Sequence, residues 1–91
     1  MKYTVDIKEQ AQYDLKRLLK DEPKVYYKAL KLIGELYEHP KTGTGHPEPL
    51  RGDRARQWSR HISKKHRLIY EIRETEVVVL VLTAYGHYED T

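Results

Sequence analysis

Gly43–Tyr70, GTGHPEPLRGDRARQWSRHISKKHRLIY, is the stretch around which the chain is organised. Glu48 stands between Pro47 and Pro49. Pro47 fixes its own φ, and Pro49 drives Glu48 out of the helical region into an extended one. The carboxylate therefore rides on a stiff backbone, as a general base would require. Beyond it the pattern is β. Gln57–Ser63 alternates, with Trp58, Arg60 and Ile62 on one face and Ser59 and His61 on the other. Lys64-Lys65 makes a short polar turn, and His66–Arg73 places Leu68, Tyr70 and Ile72 opposite Arg67, Ile69 and Glu71.

Outward from this stretch, the N-terminal half changes period. Lys2–Lys8 alternates as a half-buried strand. From about Glu9 the apolar residues Ala11, Leu15, Leu18 and Leu19 fall at helical spacing, with Lys and Asp on the opposite face. Asp21 or Glu22 can cap a second helix, and Pro23 suits its first turn. That helix carries Val25, Ala29, Leu32 and Leu36, widened by Tyr26 and Ile33, with Tyr37 also read as core. It runs to about Glu38 and stops at His39-Pro40. Gly34 weakens it by about 1 kcal/mol relative to Ala, and suggests the close approach of a neighbour. Lys41–Pro49 is a Gly/Pro/Thr loop. Glu74-Thr75 turns the chain, and Val77–Leu82 is continuously apolar, which predicts an interior strand covered on both faces or nearly so. The expected architecture is α+β over residues 1–91 as one domain. It has a four-stranded antiparallel sheet, an N-terminal strand, a two-helix hairpin on one face and a C-terminal three-stranded meander. The first strand lies beside the last. The open face carries Arg67, one side of the Trp58–Ser63 strand, and Glu48 at its rim.

Charge sharpens the picture. The chain has 17 Lys and Arg against 14 Asp and Glu. Between Pro49 and Tyr70 stand seven cations and only Asp53, so that segment carries +6 and the remainder −3. Clustered base of this kind suits a polyanion, although it could equally grip an acidic protein. With 91 residues, the chain buries roughly 65% of the surface its unfolded form exposes. There is no cysteine, hence no disulfide or thiolate zinc site, which is consistent with a cytoplasmic location. The N-terminus lacks an apolar signal core, and Val77–Leu82 is too short to span a bilayer, so no membrane role is expected. His39, His46 and His66 lack metal-ligand spacing and read as structural or solvent-facing.

RNA can be cut without a metal or cofactor when its 2′-hydroxyl attacks the adjacent phosphate. The step needs a base, an acid for the leaving oxygen, and cations for the charge growing on phosphorus. Glu48 can serve as base and His87 as acid. Arg67, Arg60 and Arg51 can act as the cationic clamp, and Tyr88 as a stacking face or hydroxyl donor. Each has a plainer reading. Glu48 fits a rigid surface loop, Arg67 a snorkelling residue or a partner of Glu71, and His87 a solvated tail.

The motifs G-x-G-x-P-E-P-L at Gly43–Leu50, W-S-R at Trp58–Arg60, H-R-L-I-Y at His66–Tyr70 and the terminal His87-Tyr88 resemble the YoeB/Txe-type toxins of the RelE/ParE superfamily. The resemblance implies a RelE-like fold and a ribosome-dependent mRNA endonuclease that inhibits translation. Its partners would be mRNA in the ribosomal A site, the ribosome, and a cognate YefM/Axe-like antitoxin, with homodimerisation possible. It implies Glu48 as base, Arg67 as phosphate stabiliser, His87 as acid and Tyr88 in the active site, with Arg51 and Arg60 as phosphate contacts. Three positions depart from the family pattern. Arg51 stands where Lys is common. His61 replaces a second Arg after W-S-R, and as an RNA contact it would be mostly neutral at a pH of about 7.5. Glu89-Asp90-Thr91 follow the usual terminus. A non-enzymatic ParE-like gyrase-binding toxin and a degenerate antitoxin-binding module are the alternatives. The Glu48/Arg67/His87 set favours the nuclease, since a pure binding module has no need of it.

Overall fold

Alternation at Thr4, Val5, Asp6 and Ile7 gives the first strand, β1 (Thr4–Ile7), and the helical period takes over at α1 (Glu9–Asp21) and α2 (Pro23–Leu36). The computed structural model describes residues 2–54 and 56–86, apart from the side chain of Asp53. A single residue, Glu22, turns the chain between the helices, and Pro23 opens α2, where its missing N–H costs nothing. Glu22 does not cap α2 with its side chain, contrary to expectation. Its carboxylate is used elsewhere. The remaining strands are β2 (Glu48–Pro49), β3 (Gln57–His61), β4 (Arg67–Arg73) and β5 (Val78–Thr83), with a 3₁₀ turn at Gly52–Arg54.

The helices pack on one face of the sheet. Ala11, Leu15 and Leu18 of α1 and Ala29, Leu32, Ile33 and Leu36 of α2 meet Leu68, Tyr70 and Ile72 of β4 and Val79 and Val81 of β5. Neither α1 nor α2 covers the other face. This much follows the periodicity. Leu19 and Tyr37 do not: both are exposed, at the margin of the apolar stripes. Asp14, expected on the polar side of α1, is buried. A Cβ at Gly34 would meet only open space, so that glycine accommodates no neighbour.

The sheet differs from expectation in two respects. Among the described residues it has five strands in the order β1-β5-β4-β3-β2, and it is mixed. β1 runs parallel to β5, with Thr4 opposite Val78 and Ile7 opposite Val81, while the other pairs are antiparallel. The cause is the return path. α2 starts just after Glu22, whose carboxylate meets His66 beyond the end of β5, and ends just before Tyr37, whose carbonyl accepts from Tyr3 N–H at the start of β1, so α2 runs against β1. The segment after α2 then crosses back and pairs as β2, so β3 again runs the same way as β1 and the meander delivers β5 parallel to it. β5 is interior, as expected, but it is not covered on both faces. Val79 and Val81 are buried against the helices, whereas Val78, Leu80 and Leu82 are only half-buried. An irregularity in the β4–β5 register lets Leu82 slip out of pairing, with Ile69 opposite Thr83 and Tyr70 opposite Val81. Such a bulge bends a strand and redirects the residues beyond it. Among the described residues no helix is long and apolar enough to cross a membrane.

Candidate active site

Of the three arginines expected to clamp phosphate, Arg60 and Arg67 have opposite fates, decided by strand parity. Arg60 shares the core face of β3 with Trp58 and Ile62 and is fully buried. This burial gives no support to its expected role as a phosphate contact, because its donors are already engaged. Nη1 donates to Glu35 Oε1 at 2.7 Å and to the Thr44 carbonyl at 3.3 Å. Nη2 donates to the carbonyls of His39 and Thr42, the latter at 2.8 Å, and Nε donates to the Tyr70 hydroxyl at 3.1 Å. Tyr70 in turn donates to the Pro40 carbonyl at 2.7 Å. Burial lifts the Tyr70 hydroxyl above the ordinary phenol range, with Arg60 opposing, so it stays a neutral donor. Burial also raises the Glu35 carboxyl, but hydrogen bonds from Thr44 and the Arg60 guanidinium outweigh it and hold the group below its ordinary 4.5.

This buried cation explains the Gly-x-Gly part of the motif. The 39–45 segment wraps Arg60 with its carbonyls. A Cβ on Gly43, at φ 114°, would collide with Glu35 Oε1, and one on Gly45, at φ 86°, would lie 2.8 Å from the His61 carbonyl. His61 N–H donates to the Gly45 carbonyl at 2.7 Å and ties the loop to the end of β3. Glu48-Pro49 is thereby laid down as the edge strand β2, with Glu48 opposite Ser59 and Pro49 opposite Trp58. Leu50, which is buried, continues the alignment through Leu50 N–H to the Gln57 carbonyl at 2.8 Å.

Arg67 and Glu48 do meet. Arg67 lies on the open face of β4, opposite His61, and its Nη1 is 3.7 Å from Glu48 Oε1. The Glu48 side chain is 54% exposed and that of Arg67 22%, so the carboxylate is open to solvent while the guanidinium is walled in. They approach across β3, where Ser59 is small enough to leave them room. Ser59 Oγ is buried, with no hydrogen-bond partner among the described residues. His61 is half-buried beside them, its ring edge-on to His46 at 6.1 Å. Arg51 stands exposed just past β2. Glu71 is not placed as the partner of Arg67: its carboxylate accepts from Arg73 Nε at 2.8 Å.

His87 and Tyr88 lie outside the described residues, but the approach to them is well defined. Beyond β5, Ala84 N–H donates to Asp14 Oδ2 at 2.9 Å, and Gln10 Nε2 steadies the other oxygen of Asp14 at 2.9 Å. Arg67 N–H donates to the Gly86 carbonyl at 2.9 Å, and Gly86 N–H donates to His66 Nδ1 at 2.8 Å. The chain thus reaches the backbone of Arg67 one residue before His87. A groove of about 580 Å³ runs alongside, lined among others by Arg17, Arg54, Gln57, Ile69 and Leu82. Among the described residues no three His, Cys, Asp or Glu side chains converge to hold a metal ion.

A half-exposed carboxylate is thus paired with an arginine on the face that α1 and α2 do not cover. The family described as the YoeB-like toxin of bacterial type II toxin–antitoxin systems matches residues 7–88. The chain belongs to this family. It is 45% identical over 58 residues to Toxin YoeB of Mycobacterium bovis, a match covering 64% of this chain and 66% of that protein, just under two thirds of its length. Its fold is similar to that of the YoeB/ParE toxin from Agrobacterium tumefaciens, with a TM-score of 0.85 at 28% identity over 93% of this chain and 99% of the other. It also matches the toxin of a YoeB–YefM complex from Staphylococcus aureus, with a TM-score of 0.78 over 97% of this chain and 100% of that one; at 24% identity this likeness concerns the fold. Reading the family's residues in sequence named Glu48 and Arg67, which the fold brings within 3.7 Å of each other. It missed Asp14, Glu22 and Glu35, whose importance lies in partners 70, 44 and 25 positions away.

Proposed function

We propose that the chain is a ribosome-dependent mRNA endonuclease of its toxin family and that Glu48 is its general base. The observation that carries this reading is the 3.7 Å approach of Glu48 and Arg67 on the open, basic face. In the proposed step Glu48 takes the proton of a 2′-hydroxyl as that oxygen bonds to phosphorus. The P–O5′ bond breaks, and His87 gives a proton to the departing 5′-oxygen. A 2′,3′-cyclic phosphate and a 5′-hydroxyl result. Arg67 faces the charge on the non-bridging oxygens, where a fixed guanidinium acts most strongly because it need not reorganise. Exposed Arg51 and half-buried His61 are proposed to contact flanking phosphates, and Tyr88 the substrate. Arg60 is assigned no contact. No step in this scheme draws on a metal ion or cofactor. A YefM-like antitoxin is the proposed inhibitor.

The test is to map mRNA 5′ ends after brief expression of the chain, with Glu48→Gln and His87→Gln beside it. Wild type is expected to produce new ends on translated messages. Each variant should lose about 10²–10⁴-fold in cleavage while keeping its fold. Undiminished cleavage by Glu48→Gln would move the base elsewhere. Growth arrest without new ends would favour a gyrase-directed toxin.

A further inference from the structure

We infer that His66 is a positioning residue: by gripping Gly86 it fixes the course on which the chain leaves β5 just before the proposed general acid His87. The inference rests on the proposed nuclease function, in that it takes His87 as the group that acts.

Chain ends are ordinarily poorly ordered unless they are tied down. Here three successive residues are each tied by a different device. Ala84 N–H is held by the buried carboxylate of Asp14 at 2.9 Å. The Tyr85 ring lies under the Arg17 guanidinium, 3.7 Å from its centre, and 4.4 Å from the His66 ring. Gly86 is held from both sides, its N–H by His66 Nδ1 at 2.8 Å and its carbonyl by Arg67 N–H at 2.9 Å. Gly86 also has φ 76°, a conformation that glycine adopts without strain. The chain therefore leaves β5 on a defined course that ends at Arg67.

His66 is suited to this task by its second contact. It is only 3% exposed, and Nε2 lies 2.7 Å from Glu22 Oε2. A backbone N–H aimed at Nδ1 requires a bare lone pair there, so Nε2 carries the proton and donates it to Glu22. The carboxylate fixes the tautomer, and the tautomer makes Nδ1 an acceptor. Glu22 stands at the corner between α1 and α2, where its side chain leaves the helix end uncapped. A ring retained only for packing would need neither contact.

Two variants separate the hydrogen bond from the packing. His66→Asn and His66→Gln both remove the ring and its contact with Tyr85. Asn places a carbonyl oxygen near the position of Nδ1, where it can accept from Gly86. Gln places an amide N–H near the position of Nε2 and leaves Gly86 unheld. Single-turnover cleavage of ribosome-bound mRNA by the full chain should fall about 10²-fold in His66→Gln, the scale of loss from a displacement of about 1 Å. His66→Asn should stay within about tenfold of wild type, and ribosome binding should be unchanged in both. Equal losses in the two variants, or a loss confined to binding, would overturn the inference. Absence of cleavage by wild type would instead defeat the functional reading. A second measurement does not depend on activity. Nitrogen NMR of the wild-type chain should find His66 protonated at Nε2, with a slowly exchanging Gly86 amide. A proton on Nδ1, or a freely exchanging amide, overturns the grip directly.

Discussion

Arg60 and Arg67 are the same residue type on neighbouring strands of one motif-rich segment, yet their surroundings make them opposites. Arg67 faces a solvent-open carboxylate. Arg60 faces Glu35, a tyrosine and three loop carbonyls, with no exposure at all. A buried ion pair is weak evidence of net stabilisation, because desolvation offsets much of the attraction. Removing one partner is another matter, since it strands the other. Arg60→Ala is therefore expected to cost about 3–5 kcal/mol in urea unfolding. Arg60→Lys should recover only part of it, because one ammonium cannot replace the planar fork that serves acceptors in several directions. If Arg60→Ala unfolded within about 1 kcal/mol of wild type, the guanidinium would not be what holds the 39–45 segment.

At the scale of elements, the two-residue strand β2 is the clearest case of a local structure owed to distant parts. Proline on either side of Glu48 predicts an extended backbone but not a place in the sheet. Edge strands tolerate proline because one side needs no ladder bond, and among the described residues β2 is an edge, paired with β3 alone. Its anchor is the Glu35–Arg60–loop cluster, and this has a pH consequence. The Glu35 carboxyl is held below 4.5 in the folded chain. A depressed carboxylate contributes stability that is complete above its unfolded pKa and lost as pH falls through its folded one. Acid should therefore loosen the loop below a pH of about 4.5, with stability falling progressively. Glu35→Gln should lower stability at neutral pH and flatten this acid limb. Denaturant melts of both proteins between pH 3 and 7 test it; parallel curves would exclude Glu35 as a source. Glu74, also held low, pairs with Lys41 on the surface, where solvent screens the pair and little is expected.

At the scale of the whole molecule, the helices cover one face and leave the other basic and open. A toxin of this family is proposed to be silenced by an antitoxin, and the open face calls for an acidic or amphipathic segment that orders on binding. Hydrogen exchange should then find protection across β2, β3 and the start of β4 in the complex. Protection confined to α1 and α2 would exclude this mode. The same bound chain should dissociate more readily as salt is raised, because exposed cations contribute through long-range attraction that salt screens.

By itself the sequence determined the order of the two helices and the four longer strands, though not the fifth strand, β2, together with the switch from period two to helical period near Glu9, the stiff extended setting of Glu48, and the family. All of these depend on neighbours within a few positions, where propensity, proline geometry and periodicity act. Strand parity even placed Arg60 with Trp58 and Ile62, although its charge argued for the surface. Only the tertiary structure decided the direction of β1 against β5, because that depends on how often the whole chain reverses between them. It alone decided that Arg60 could be buried, because the acceptors that make burial tolerable come from Glu35 and a loop some twenty residues upstream. The convergence of Glu48 with Arg67 across β3, and the hold of Asp14 and His66 on Ala84 and Gly86, arise in the same way. A hydrogen bond is short-ranged in space and indifferent to separation along the chain, so such partners become neighbours only when the sheet and the helices have closed around them.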